Sequence, residues 1–140
     1  MQLTQHTDFG LRLLIVLARR GSAPVSLPEF AAEQRLSYNH VAKVAQGLAR
    51  AGFIHTRRGR GGGVALARAA DAITVGEVVR ALEPGLRLAD CGRCELRFDC
   101  ATAGYLSDAL AAFLDVLDKT TLADAARRTP TAFAKPSPEA

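Results

Sequence analysis

Tryptophan is absent from these 140 residues and aromatics make up only 6%, so neither points to a function. No run of about 18 apolar residues occurs, which excludes a membrane-spanning helix. The opening MQLTQHTDFG has neither the charged nor the apolar region of a secretory signal. Export is therefore not expected, and a cytoplasmic, reducing compartment is. There are only three cysteines, all between Cys91 and Cys100, and none elsewhere to pair with them, which argues against a disulfide framework. Neither a Ser/His/Asp set nor a carboxylate pair stands out. The one glycine-rich stretch fits neither of the common nucleotide-binding spacings. There is no internal repeat.

The apolar content of 49% suffices for one globular domain with a real core. The net charge of +4 is unevenly spread. Residues 1–70 carry ten Lys/Arg against three Asp/Glu, net +7, and residues 71–140 carry eight against eleven, net −3. A basic first half joined to an acidic second half suggests a nucleic-acid-binding head followed by a different kind of unit.

Phe9, Leu13, Val16 and Leu17 fall on one face of an expected helix over residues 7–20. Thr7 is its expected cap, with Asp8 in the first turn where the helix dipole favours a carboxylate. Ser26-Leu27-Pro28-Glu29 reads as a capping box opening a short helix to Gln34, with a tight break at Arg35-Leu36. A third helix is expected from the Ser37 cap to Gly52. It buries Val41, Val44, Ala45 and Leu48 and exposes Tyr38, Asn39, His40 and Lys43. Two helices joined by a short turn, the second opening on polar side chains, form the helix-turn-helix pattern, and Ser37, Tyr38, Asn39, His40 and Lys43 are its candidate DNA contacts. Strand-like Phe53–Thr56 and Val64–Leu66 follow, joined by RRGRGGG. Arg57, Arg58, Arg60 and Gly61 make that hairpin tip a basic wing suited to phosphates or a narrow minor groove.

Thr74-Val75-Gly76-Glu77 opens a helix to about Glu83, closed by Pro84-Gly85. A long helix is expected over residues 101–119. Leu106, Leu110, Phe113, Leu114 and Leu117 stripe one face, and Asp108, Asp115 and Asp118 face solvent. A short helix should span Leu122 to Arg128. The Pro-rich tail, residues 129–140, reads as disordered. The expected organisation is a winged-helix DNA-binding domain over residues 1–84, a cysteine loop over 85–100, a dimerisation helix and short terminal helix over 101–128, and the tail. The fold class is mainly α with a small β-wing.

The cysteine loop reads C-x2-C-x5-C. Cys91 and Cys94 can converge on one metal, and Cys100 adds a third thiolate. His6, His40 and His55 lie far upstream, so a fourth ligand must come from a distant part of the chain, another subunit or solvent. Arg87, Arg93 and Arg97 alternate with Asp90, Glu95 and Asp99 and would partly offset an anionic cluster. On these residues alone the readings are an iron–sulfur cluster, structural zinc, a thiol redox switch, or free cysteines in a polar loop.

Together, MQLTQHTDFGLRLLIVLA, the run from Ser37 through the wing to Pro84, and the three-cysteine loop before a long helix resemble the bacterial Rrf family of winged-helix iron–sulfur regulators. The resemblance covers residues 1–128 and is greatest to the family's nitric-oxide-sensing repressors. It implies a cytoplasmic homodimer that binds a double-stranded DNA operator and is not an enzyme. It also implies one iron–sulfur cluster per subunit, with 4Fe–4S favoured over 2Fe–2S, held by Cys91, Cys94 and Cys100. In that branch the fourth ligand is an aspartate of the partner subunit's first helix, and Asp8 occupies that position here. The branch that uses a histidine after the third cysteine is disfavoured, because ATAGY follows Cys100. The first cysteine gap is shorter than the family pattern leads one to expect. Nitric oxide is the implied signal. Sensing of iron–sulfur status or redox state is the alternative, and a small redox enzyme a more distant one.

Overall fold

The computed structural model describes residues 2–127; the expected disordered tail lies outside them. Its elements are α1 (Gln5–Arg20), α2 (Leu27–Gln34), α3 (Tyr38–Arg50), β1 (Ile54–Arg57), β2 (Gly63–Leu66), α4 (Val75–Leu82), α5 (Ala101–Asp118) and α6 (Leu122–Ala126). Short 3-10 turns occupy Ala70–Ala72 and Cys91–Arg93.

The first helix starts two residues earlier than its pattern suggests. Thr4, not Thr7, is the cap, and its hydroxyl accepts from the Thr7 amide at 3.3 Å. Thr7 is instead fully buried and donates its hydroxyl to Glu83 at 2.6 Å. The Glu83 carboxylate takes up the Thr7 hydroxyl and leaves Thr4 to cap the helix. The second helix ends on Arg35, which takes up left-handed backbone (φ 55°), so the chain turns sharply into α3. Thr74 and Glu77 form the expected capping box on α4.

α1, α2 and α3 enclose an apolar core of Leu13, Leu14, Leu17, Phe30, Val41, Val44 and Leu48. The two strands pair antiparallel, with Ile54 opposite Leu66 and Arg57 opposite Gly63. The sheet is anchored back on the helices by Val25, which bridges Val64 through hydrogen bonds of 2.8 and 2.9 Å. A Cβ at Gly63 would run into the Val25 carbonyl. That glycine therefore serves the fold.

The chain then returns to where it began. Leu122 of α6 is fully buried in the same core, worth about 1.5–3 kcal/mol. Its amide donates to Ile73, and Arg19 donates to the Ala126 carbonyl at 2.9 Å. The helix stops at Ala126, two residues short of expectation, with Arg128 outside the described residues. α5 differs from every other long helix, because none of its 18 residues is buried. Asp118, expected to face solvent, is instead clasped by Arg80 of α4 through both carboxylate oxygens, one contact at 2.6 Å. The guanidinium holds the Asp118 carboxyl below its usual range. Among the described residues no helix is long and apolar enough to cross a membrane.

Candidate nucleic-acid interface and cysteine loop

Ser37 stands at the head of α3 and its hydroxyl makes no capping bond. Ser37, Tyr38, Asn39, His40 and Lys43 are all exposed at that end of the helix, while Val41, Val44, Ala45 and Leu48 bind its other face to the core. The burial pattern thus leaves the N-terminal turns of α3 free to enter a groove.

The wing tip comprises Arg58 to Gly62, closed by the Gly62 amide donating to Gly59 at 3.0 Å. Gly59 and Gly61 both have positive φ, and all three wing arginines are exposed. The three are not equivalent. Arg57 donates to the Ser22 carbonyl at 3.4 Å, which ties it to the base of the wing. Arg58 and Arg60 pair with no carboxylate among the described residues. Arg68, beyond the sheet, is spent on Glu77 and lies over the Phe53 ring.

The cysteine loop leaves α4 and re-enters helix at Cys100, the N-cap of α5. Cys91 and Cys94 lie on one 3-10 turn, closed by the Cys94 amide donating to Cys91 at 3.3 Å. Arg97 repeats that bond to Cys94, and Asp99 repeats it to Leu96. These backbone hydrogen bonds are all local, so the loop is held by its own turns. All three thiols are free and half-exposed. Cys91 lines a cleft of about 260 Å³ between the loop and α5, with Leu88, Leu106 and Leu110. Leu96 and Phe98 project outward, Phe98 at 86% exposure with Arg97 over its ring.

In donor chemistry the loop suits iron: three reachable thiols lie within ten residues, two of them on a single turn. Among the described residues no three Cys, His, Asp or Glu side chains already converge as a metal-holding group. The loop therefore offers donors, and the closed shell has to be completed on binding. Asp8 lies on the first turn of α1, half-exposed and paired with Arg12. Two features had no signal in the sequence: the Glu83 acceptor that holds Thr4 and Thr7, and the Ser22 carbonyl that sets Arg57 apart. Both depend on pairing between distant segments.

The family model described as Rrf2, an iron-dependent transcriptional regulator, matches residues 3–128. The HTH-type transcriptional regulator NsrR of Shouchella clausii is 42% identical over 130 residues, spanning 89% of this chain and 87% of that protein. Among solved structures, CymR (YrzC), the global cysteine regulator of B. subtilis, superposes with a TM-score of 0.76 at 31% identity, over 90% of this chain and 96% of that one. IscR of T. potens does so with a TM-score of 0.74 at 29% identity, over 89% and 85%.

Proposed function

The chain belongs to the Rrf2 family of transcriptional regulators, and from that premise we propose that it is a homodimeric repressor that loses its operator when nitric oxide reaches an iron–sulfur cluster on the cysteine loop. That it is a DNA-binding regulator and no enzyme follows from the family itself; the signal and the cofactor are our reading. The observation that carries the reading is the donor set. Cys91, Cys94 and Cys100 sit on one self-contained loop with no histidine after Cys100, and a carboxylate stands at Asp8.

When bound, a cluster would supply iron that binds nitric oxide, with 4Fe–4S favoured over 2Fe–2S. Cys91, Cys94 and Cys100 would hold it, and Asp8 of the partner subunit would be the fourth ligand. A carboxylate is the hardest and most easily displaced donor of such a set. Asp8 lies on α1, which packs on α3, α4 and α6, with Gly10 against Val44 and Leu82 and with Leu13, Leu14 and Leu17 buried. An Asp8 held by the partner's loop would fix α1, and with it the separation of two recognition helices that must meet half-sites about one helical turn apart. A released Asp8 would relax that separation. A tilt of the population that weakens DNA binding ~100-fold requires about 2.7 kcal/mol.

The test is a DNA-binding titration of anaerobically purified protein with a few equivalents of nitric oxide per subunit, followed by absorption in the same cuvette. Release of DNA in step with the spectral change is expected. If DNA stays bound while the spectrum shows complete reaction, nitric oxide is not the signal, and sensing of iron–sulfur status takes its place. The description of the family as iron-dependent transcriptional regulators supports that second reading.

A further inference from the structure

We propose that the cleft between the first turns of α1 and α3 seats a backbone phosphate of duplex DNA, with His6 as a DNA contact made from outside the helix-turn-helix and wing. The inference rests on the DNA-binding reading and adds a site to it. The cleft holds about 190 Å³ and is lined by Gln5, His6, Phe9, His40, Lys43 and Val44.

Three of those six side chains carry nitrogen donors of a basic group, Gln5 adds an amide, and none is a carboxylate. Two acids lie near. Glu83 is near enough to interact with the charge of His6, and its Oε2 accepts from the Thr4 amide, the Thr4 hydroxyl and the Thr7 hydroxyl, which hold the carboxylate outside the cleft lining. Asp8, on the same turn of α1, is paired with Arg12. The lining itself thus holds donors and the Lys43 ammonium, with the Glu83 carboxylate outside it as the opposing charge. Two imidazoles beside each other also suit a metal cation, but the Lys43 ammonium in the same lining opposes one and favours an anion.

The placement fits a phosphate. His40, Val44 and Gly47 recur along α3 at helical spacing, on the face turned to α1. His6 lies over Gly47, its Nε2 only 3.3 Å from where a Cβ at that position would stand. A side chain at residue 47 would push the ring away, so the bare backbone there brings α1 against the recognition helix. The cleft thus opens beside His40, at the end of α3 that enters the groove, where the flanks of a reading helix meet the sugar–phosphate backbone. Phe9 and buried Val44 give it an apolar floor, against which a charge-assisted hydrogen bond counts for more than in open water.

His6 and Asp8 share one turn of α1, so any displacement of Asp8 would disturb a DNA contact directly.

The test uses His6→Phe, which keeps a ring over Gly47 and removes its nitrogens, alongside Lys43→Gln. Affinity for a labelled random-sequence duplex is measured on anaerobically purified protein, and each protein is mapped by phosphate-ethylation interference on one defined duplex selected from a random pool for tight binding to the parent. His6→Phe should lower affinity ~10-fold whatever the sequence, the size expected for one hydrogen bond to a charged group. Both variants should lose sensitivity at the same phosphate. If His6→Phe unfolds, His6→Tyr serves in its place. A folded His6→Phe with parental affinity, or loss of sensitivity at two different phosphates, overturns the cleft while leaving DNA binding intact. A parent protein that binds no duplex removes both.

Discussion

The Arg12 guanidinium lies across the Asp8 carboxylate, Nε to Oδ1 at 3.1 Å and Nη2 to Oδ2 at 2.6 Å. Both side chains are nearly half-exposed, so this i,i+4 pair is worth only about 0.3–0.5 kcal/mol. Asp8 is therefore positioned but not committed, and a better partner can take it. Asp8→Ala should leave the thermal stability of metal-free protein within about 0.5 kcal/mol of the parent. It should nonetheless change the absorption spectrum or the lability of the anaerobically purified protein. Arg12→Ala should leave the spectrum in place. Identical spectra and nitric oxide reactivity in Asp8→Ala would reduce Asp8 to a helix-dipole residue.

The wing arginines should separate by their partners. Each arginine that neutralises a phosphate contributes about 0.9 to the slope of log affinity against log salt. Arg58→Ala and Arg60→Ala, whose guanidinium groups have no carboxylate partner among the described residues, should each flatten the slope by about that amount on any sequence. Arg57→Ala should flatten it less, because Arg57 is already bonded to Ser22. Asn39→Ala should leave the slope alone and relax specificity at particular bases. Equal slopes for the parent and an Arg58/Arg60 double variant would take the wing out of the interface.

The helix-turn-helix and wing are legible in the sequence because their signals are local. Ser26-Leu27-Pro28-Glu29 begins a helix where it stands, Val41-Val44-Ala45-Leu48 defines a face, and RRGRGGG between two apolar runs makes a turn. The features with no such signal are those set by pairing between distant segments. Nothing near Thr4 and Thr7 announces Glu83, 76 residues beyond Thr7, and nothing near Asp118 announces Arg80. The cysteines are legible as donors, but their convergence depends on what the loop binds, which spacing does not encode.

Glu83 ties the segment leading into the cysteine loop to the start of α1. Partial burial pushes its carboxyl up, but hydrogen bonds from Thr7 and from Thr4, with the charge of His6, outweigh this and leave it below the ordinary 4.5. A carboxyl lowered on folding binds more protons when unfolded, so its contribution is complete above about pH 4.5 and is lost as pH falls through the folded value. Glu77 and Asp118 are lowered as well and act with the same sign. Glu83→Gln should cost about 1–3 kcal/mol at neutral pH, since buried Thr7 loses its charged acceptor. Thermal melts of metal-free protein at falling pH should converge for parent and variant in acid. A gap that stays constant through pH 4 would show that the ionised carboxylate is not what holds Thr7.

The apolar stripe of α5 requires a cover that the described residues do not supply. Leu106, Leu110, Phe113, Leu114 and Leu117 are only half-buried, and Tyr105 and Val116 stand 74% and 63% exposed. Contact with α4, the Arg80 clasp and the return of α6 fix the helix in place without hiding that face. An exposed apolar surface of this kind marks an interface, and a second copy is the occupant that the proposed function needs, since that proposal draws Asp8 from one chain and the cysteines from the other. Leu110→Glu places a charge in the middle of the stripe. Sedimentation should show a dimeric parent and a monomeric variant whose circular dichroism is unchanged, because the core over α1–α3 does not include residue 110. Operator affinity should fall ~100-fold as two linked half-site contacts become independent. A Leu110→Glu protein that sediments like its parent would place the interface elsewhere, and a monomeric parent would remove the partner from which the fourth ligand is drawn.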